Sequence, residues 1–187
     1  MGHCKKKLDK IKLMNITTEF IKKQKDNCTV FVETGTFMGD TTNNAYRAIF
    51  NEIHTLELSE RYYSAALRRF KDCRNLYVHL GDSSKILGLV ISNINANILF
   101  WLDGHYSGNS TAKGIKNCPL IEELEHIKNH PIKTHIIMVD DIRLQGTEWI
   151  ISLEEIKNKI LEINKDYKFY LVDSPLAKED ILIAKIN

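Results

Sequence analysis

Apolar residues along this chain fall into short, nearly continuous runs separated by stretches with helical spacing. The runs at 28–32, 53–58, 76–80, 98–102 and 136–139 are strand-sized and often β-branched. Between them the pattern predicts helices over 41–51, 60–71, 84–94 and 119–129. Pro119 suits the first turn of the last of these, with Asn117 or Cys118 just before it. Strands that are apolar throughout, alternating with helices, are what a parallel sheet covered on both faces requires. The tail differs: a helix over 148–163 leads to strands at 167–172 and 181–186, with Ser174-Pro175 between them. A link of about eight residues cannot hold a crossover helix, so these two strands should pair antiparallel. Ahead of the first strand, Leu8, Ile11, Leu13, Ile16, Phe20 and Ile21 trace an amphipathic helix among lysines that read as a solvated face. The chain thus divides into a leading helix, residues 1–27, and an α/β domain, residues 28–187.

Composition narrows the function classes. A chain of 187 residues, 43% hydrophobic and 27% charged, suits one folded domain with a buried core. Its formal charge of +2 is too balanced for a nucleic-acid coat. No apolar run approaches the ~18 residues of a membrane span. Cys4, Cys28, Cys73 and Cys118 form no C-x-x-C pair, and no secretory segment opens the chain, so a reduced, cytoplasmic setting is expected. Lys6 stands where a myristoylation signal wants Ser or Thr. Trp101 reads as core, and Trp149 as a pocket cover or a helix-packing residue. His126, His130 and His135 read as surface or helix-end residues rather than ligands.

The acids carry the chemistry. Glu33 is expected to end the first strand and Glu57 the second, Asp82 to follow the third, and Asp103 to end the fourth. They stand 24, 25 and 21 residues apart, one strand–helix unit each. All should therefore emerge at the carboxyl edge of the sheet, where open α/β folds bind ligands. The first turn, Glu33-Thr34-Gly35-Thr36-Phe37-Met38-Gly39-Asp40-Thr41-Thr42, is not a G-x-G-x-x-G loop, because Phe37 replaces the second glycine. An acid there also repels phosphate. Both features favour a ligand with a nucleoside and a cationic end over NAD or ATP. Gly35 supplies the tight turn and Gly39 precedes the next helix. Glu57 is placed to accept hydrogen bonds from a ribose diol. Asp82, with Ser83, is placed to accept from an adenine amine or simply to cap the helix that follows.

On the Glu33-x-Gly35-x-x-x-Gly39 loop, Glu57, Gly81-Asp82-Ser83, Asp103 and the terminal strand pair, residues 28–187 resemble the class I S-adenosylmethionine-dependent methyltransferases. The resemblance implies a Rossmann-like three-layer α/β sandwich with a seven-stranded, mostly parallel sheet ordered 3-2-1-4-5-7-6, strand 7 antiparallel. It implies S-adenosylmethionine as cofactor, bound at Glu33, Gly35, Thr36, Phe37, Gly39, Thr41, Glu57, Leu58, Asp82, Ser83 and Asp103.

Two segments make the candidate catalytic centre: Trp101-Leu102-Asp103-Gly104-His105-Tyr106-Ser107 after the fourth strand, and Val139-Asp140-Asp141-Ile142-Arg143 after the fifth. Neighbouring strands would bring Asp103, Asp140 and Asp141 together, and three close carboxylates call for a cation. Hard oxygen donors suit Mg2+ or another divalent ion, while Arg143 is the metal-free way to neutralise the pair. Here the chain is similar to metal-dependent small-molecule and sugar O-methyltransferases. His105 is the expected general base, or else a cofactor or substrate contact, and Asp103 shares the catalytic position. The segment 104–116 is polar and aperiodic, and its Tyr106, Ser107 and Thr111 are candidate contacts to a hydroxylated acceptor such as a sugar or glycan. RNA or protein methylation has only the Lys-rich leading helix in its favour, and no aromatic–basic interleaving is recognised along the chain. Intact Asp103, His105, Asp140 and Asp141 weigh against an inert nucleoside-binding subunit, and a metal-assisted hydrolase would have no use for Glu57. An oligomer is compatible with each of these functions.

Overall fold

The computed structural model describes residues 16–104, 118–147 and 149–186. Chain order is α1 (Thr18–Gln24), β1 (Val30–Thr34), α2 (Asp40–Arg47), β2 (Glu52–Glu57), α3 (Glu60–Arg69), β3 (Leu76–Leu80) and α4 (Ser83–Ile91). There follow β4 (Ile98–Leu102), α5 (Leu120–Asn129), β5 (Ile136–Val139), a 3-10 turn (Ile142–Leu144), α6 (Leu153–Ile163), β6 (Lys168–Val172) and β7 (Ile181–Lys185). The seven strands form one sheet ordered β3-β2-β1-β4-β5-β7-β6. β1 to β5 run parallel, and β7 is antiparallel to both β5 and β6. Order and direction match the expectation from sequence.

Alternation along the central strands sorts side chains into two buried clusters. Phe31, Ile53, Leu99, Trp101 and Met138 face Ile21 of α1, Ala45 of α2 and Ala66 of α3. Val32, Phe100, Ile137 and Val139 face Leu87 of α4, Leu124 of α5 and Ile156 and Ile160 of α6. Each fully buried side chain of this size contributes about 1.5–3 kcal/mol. Trp101 is core, as expected.

Several boundaries move, each for a local reason. β1 runs to Thr34, two residues past the expected end, because Glu33 pairs with Thr55 and Thr34 with Leu56 of β2. Glu33 therefore lies inside the strand rather than at its end. The leading helix, as far as it is described, begins only at Thr18; Thr17 caps it by accepting from the Phe20 amide at 3.1 Å. Ile16 before the cap and Ile21 in the first turn are both buried, the arrangement of a hydrophobic staple. α2 ends early, at Arg47, where Ile49 turns to a φ of 63°. α6 starts at Leu153, five residues later than expected. Ser152 and Glu155 form a capping box there, with Ser152 N–H donating to Glu155 Oε2 at 2.8 Å.

His130 stands at a helix end, as the C-cap of α5, while His135, just before β5, is neither surface nor helix-end; both are buried. They bridge layers of backbone. The Ile98 amide donates to His135 Nδ1 at 3.1 Å, His135 Nε2 lies 3.0 Å from His130 Nδ1, and His130 Nε2 lies 3.0 Å from the Ile94 carbonyl. With Nδ1 of His135 an acceptor, the chain of bonds closes only if both rings are neutral. Burial, then the nearby His130 and Lys133, pushes His135 down to about 3. The native ring stays neutral while the unfolded one gains a proton below its ordinary value of 6.5. Stability is thus fully present above that value and falls as pH drops toward 3, by up to about 1.4 kcal/mol per pH unit from this group. Urea denaturation from pH 7 to 4 is expected to show this slope, and His135→Gln to flatten it. Equal slopes in the two proteins would contradict the assignment.

Candidate active site

Strand register sets the site. Thr34 pairs with Leu56 and with Leu102, and Leu102 pairs with Val139. The next residue on each strand is Gly35, Glu57, Asp103 and Asp140, so these four stand level along the carboxyl edge. Asp103 N–H donates to the Thr34 carbonyl at 3.2 Å, and Asp140 N–H to the Leu102 carbonyl at 3.1 Å, extending the ladder into the rim.

The first turn is built on three positive φ angles: 85° at Gly35, 47° at Phe37 and 79° at Gly39. Phe37 adopts the left-handed backbone that a second glycine would supply, and its ring packs against Tyr62 of α3, 4.7 Å between centroids. Glu57 holds this turn: its Oε2 accepts from the Phe37 amide at 2.7 Å and its Oε1 from the Ser59 amide at 2.8 Å. A carboxylate has about four acceptor positions, so a ribose diol can still bind there. Thr41 is half-buried in the first turn of α2, and Leu58 is half-buried just past β2.

Glu33 points elsewhere. It is buried under the turn, where Oε2 accepts from Thr55 Oγ1 at 2.8 Å and from Thr42 Oγ1. Thr36 Oγ1 is 2.5 Å from Thr55 Oγ1 in the same cluster. The carboxylate thus ties β1, β2 and α2 together from below the edge. Thr42 and Thr55 were missed from sequence, although alternation places Thr55 two residues before Glu57 on the face Glu33 shares.

Asp82 caps α4, accepting from Ser84 N–H at 3.0 Å and Ser84 Oγ at 2.6 Å. Ser83 Oγ donates to Glu123 Oε1 at 2.6 Å. Glu123, on α5 and 1% exposed, was not found from sequence, because its helix carries several acids and nothing marks this one. Beside it, Gly104 packs so closely that a Cβ would lie 3.0 Å from Glu123 Oε1 and 3.2 Å from Ser83 Oγ. Trp149 is buried and has the packing role that was one of its two expected readings. It packs with the cluster that includes Leu124 and Ile156, and it lines a small pocket with Leu102, Gly104, Leu120, Glu123 and Val139.

Asp103, Asp140 and Asp141 converge as expected, each offering a carboxylate oxygen within 4.8 Å of the others. Asp140 and Asp141 are buried, and Asp103 is half-buried. A set of three close hard-oxygen donors fits a divalent cation. Arg143 binds Asp141 Oδ1 and also Asp180 Oδ2, a buried acid that the sequence did not reveal. His105, Tyr106, Ser107 and Thr111 lie outside the described residues. Cys28 and Cys118 are free thiols, and burial pushes each up to about 12. No helix among the described residues is long and apolar enough to cross a membrane.

No family model matches the chain, and no curated protein does. Solved structures do. The chain is similar to the O-methyltransferase TomG from Streptomyces achromogenes, crystallised with SAM, at a TM-score of 0.64 and 13% identity, over 91% of this chain and 77% of that one. It is similar to an O-methyltransferase from Bacillus cereus, crystallised with SAH, at 0.61 and 13%, over 91% and 78%. An rRNA methylase from Streptococcus thermophilus gives 0.56 and 10%, over 91% and 94%. The chain therefore has the class I methyltransferase fold.

Proposed function

We propose that this chain is an S-adenosylmethionine-dependent O-methyltransferase that methylates a hydroxyl of a small acceptor, a sugar or other hydroxylated molecule, with a divalent cation at Asp103, Asp140 and Asp141. One observation carries the reading: the Gly35 turn, Glu57 and the three-aspartate cluster stand level on one sheet edge. Fold likeness to O-methyltransferases crystallised with SAM or SAH supports it. In this reading Glu57 accepts from the ribose diol and the Asp82–Ser83 corner faces the adenine. The Gly35–Gly39 turn takes the cationic amino-acid end beneath the edge. When bound at the aspartates, the cation would supply Lewis-acid stabilisation of an acceptor alkoxide. His105 is assigned to take the hydroxyl proton, and Tyr106, Ser107 and Thr111 to contact the acceptor. Holding donor and acceptor in line contributes up to about 7–11 kcal/mol in well-oriented cases.

A second reading, RNA as acceptor, rests on one feature that the sequence reading overlooked: Arg61, Arg68 and Arg74 are exposed along α3 and its exit, with half-buried Tyr62 and Tyr63 between Arg61 and Arg68. Fold likeness to an rRNA methylase accompanies it. The test is product mass spectrometry with nucleotide sugars, glycans and an RNA oligonucleotide. A methylated sugar hydroxyl supports the first reading, and methylated RNA alone replaces it with the second.

Calorimetry with S-adenosylhomocysteine is expected to give micromolar binding, with no binding of NAD or ATP. Glu57→Ala should weaken it about 10–100-fold, the loss of one or two charge-assisted hydrogen bonds. An unchanged binding constant would remove the ribose role of Glu57.

A further inference from the structure

We propose that Arg143 and Asp180 form a positioning clamp that sets Asp141, the third carboxylate of the rim, for its divalent cation; this rests on the metal-assisted reading above. Asp180 precedes β7, far from Asp141 in sequence, and is fully buried. Its place is fixed from several directions. Arg143 N–H donates to its Oδ1 at 3.1 Å, Ser174 Oγ to its Oδ2 at 2.5 Å, and Ile142 N–H to its backbone carbonyl at 2.9 Å. Arg143 Nη1 joins Asp180 Oδ2 to Asp141 Oδ1, so one guanidinium nitrogen ties a rim carboxylate to the β6–β7 hairpin.

Asp141 needs such support. Its backbone is left-handed, φ 59° and ψ 36°, as β5 turns into the 3-10 segment. A non-glycine residue meets a steric cost there, which Asp bears better than most because its side chain is short and polar. Engaging Oδ1 restrains the carboxylate that contributes one oxygen to the three-aspartate cluster. Outer partners of this kind typically change metal affinity about 10–100-fold when removed.

A simple counter-ion would behave oppositely, and the sign separates the two. If Arg143 only neutralises the acids, removing its charge should tighten cation binding. If it positions Asp141, binding should weaken. The double variant Arg143→Met/Asp180→Asn removes one positive and one negative charge together, leaving net charge unchanged. The experiment is titration of Mn2+ into the wild-type chain and both variants, followed by the paramagnetic resonance of free Mn2+, with calorimetry of S-adenosylhomocysteine alongside. Arg143→Met and the double variant are both expected to bind Mn2+ at least about 10-fold more weakly. Their S-adenosylhomocysteine affinity should stay within about threefold of wild type. Tighter binding in Arg143→Met, or wild-type binding in the double variant, overturns the clamp. Parallel loss of both ligands also overturns it, since the pair would then merely hold the fold. A wild-type chain that binds S-adenosylhomocysteine but no Mn2+ ends the metal reading and the clamp with it.

Discussion

Gly35→Ala is expected to abolish measurable S-adenosylhomocysteine binding and to lower the melting temperature by about 6–12 °C. A Cβ at Gly35 would sit 2.4 Å from the carbonyl oxygen of Asp103, 3.0 Å from its carbon and 3.3 Å from Gly104 Cα. All three are backbone atoms of the neighbouring β4 exit, held by the hydrogen bond from Asp103 N–H to Thr34, so no flexible side chain can yield. The residue also stands at φ 85°, where an alanine costs about 1–2 kcal/mol. Overpacking adds about 1–3 kcal/mol, for a total near 3 kcal/mol, and about 2–4 °C per kcal/mol applies to a chain of this size. Function suffers further, because the first turn and the Asp103 corner are the parts that must be forced apart. Gly146→Ala is the control: φ is 66°, but nothing among the described residues lies within 4 Å of its Cβ. It should show only the backbone strain. Thermal melts and calorimetry on the two variants decide the matter, and a Gly35→Ala protein that matches Gly146→Ala in both would refute the close approach.

Roles that follow from strand periodicity were legible in the sequence. Glu57, Asp103 and Asp140 each end an apolar run, and parallel register brings run ends level whatever the intervening helices do. The terminal hairpin was equally legible, because a short link leaves no option but antiparallel pairing. Glu33 shows where the logic weakens. Its strand continues through Thr34, since a central strand can bury polar residues if neighbours supply hydroxyls, and Thr42 and Thr55 do. The start of α6 was misplaced because helical spacing extends back past Ser152, while the capping box at Ser152 and Glu155 stops the helix there. Glu123 and Asp180 were invisible for another reason. Each acquires its role from a partner distant in the chain, Ser83 or Arg143, and no local pattern encodes that meeting.

The second large effect is expected at Asp140. Asp140→Asn should lower turnover at least about 100-fold, in the range that removal of one transition-state electrostatic partner produces. Treating chelator-exposed wild-type enzyme with Mg2+ or Mn2+ should restore the activity that the chelator removes. The argument begins with charge. Ionised carboxylate oxygens within 4.8 Å of one another repel by at least about 3.5 kcal/mol per pair at the effective dielectric of a protein surface. Burial of Asp140 and Asp141 sharpens that cost, and Arg143 is turned toward Asp141 and Asp180. In the proposed reading a divalent cation would offset the repulsion and would give the cluster a chemical use at the edge assigned to the acceptor oxygen and the methyl donor. Asparagine preserves the shape of Asp140 while removing its charge, so cofactor affinity, which the proposal assigns to Gly35 and Glu57, should stay within about threefold. Turnover indifferent to chelator, in wild type at neutral pH with the preferred acceptor, would instead make the aspartates a structural cluster closed by Arg143.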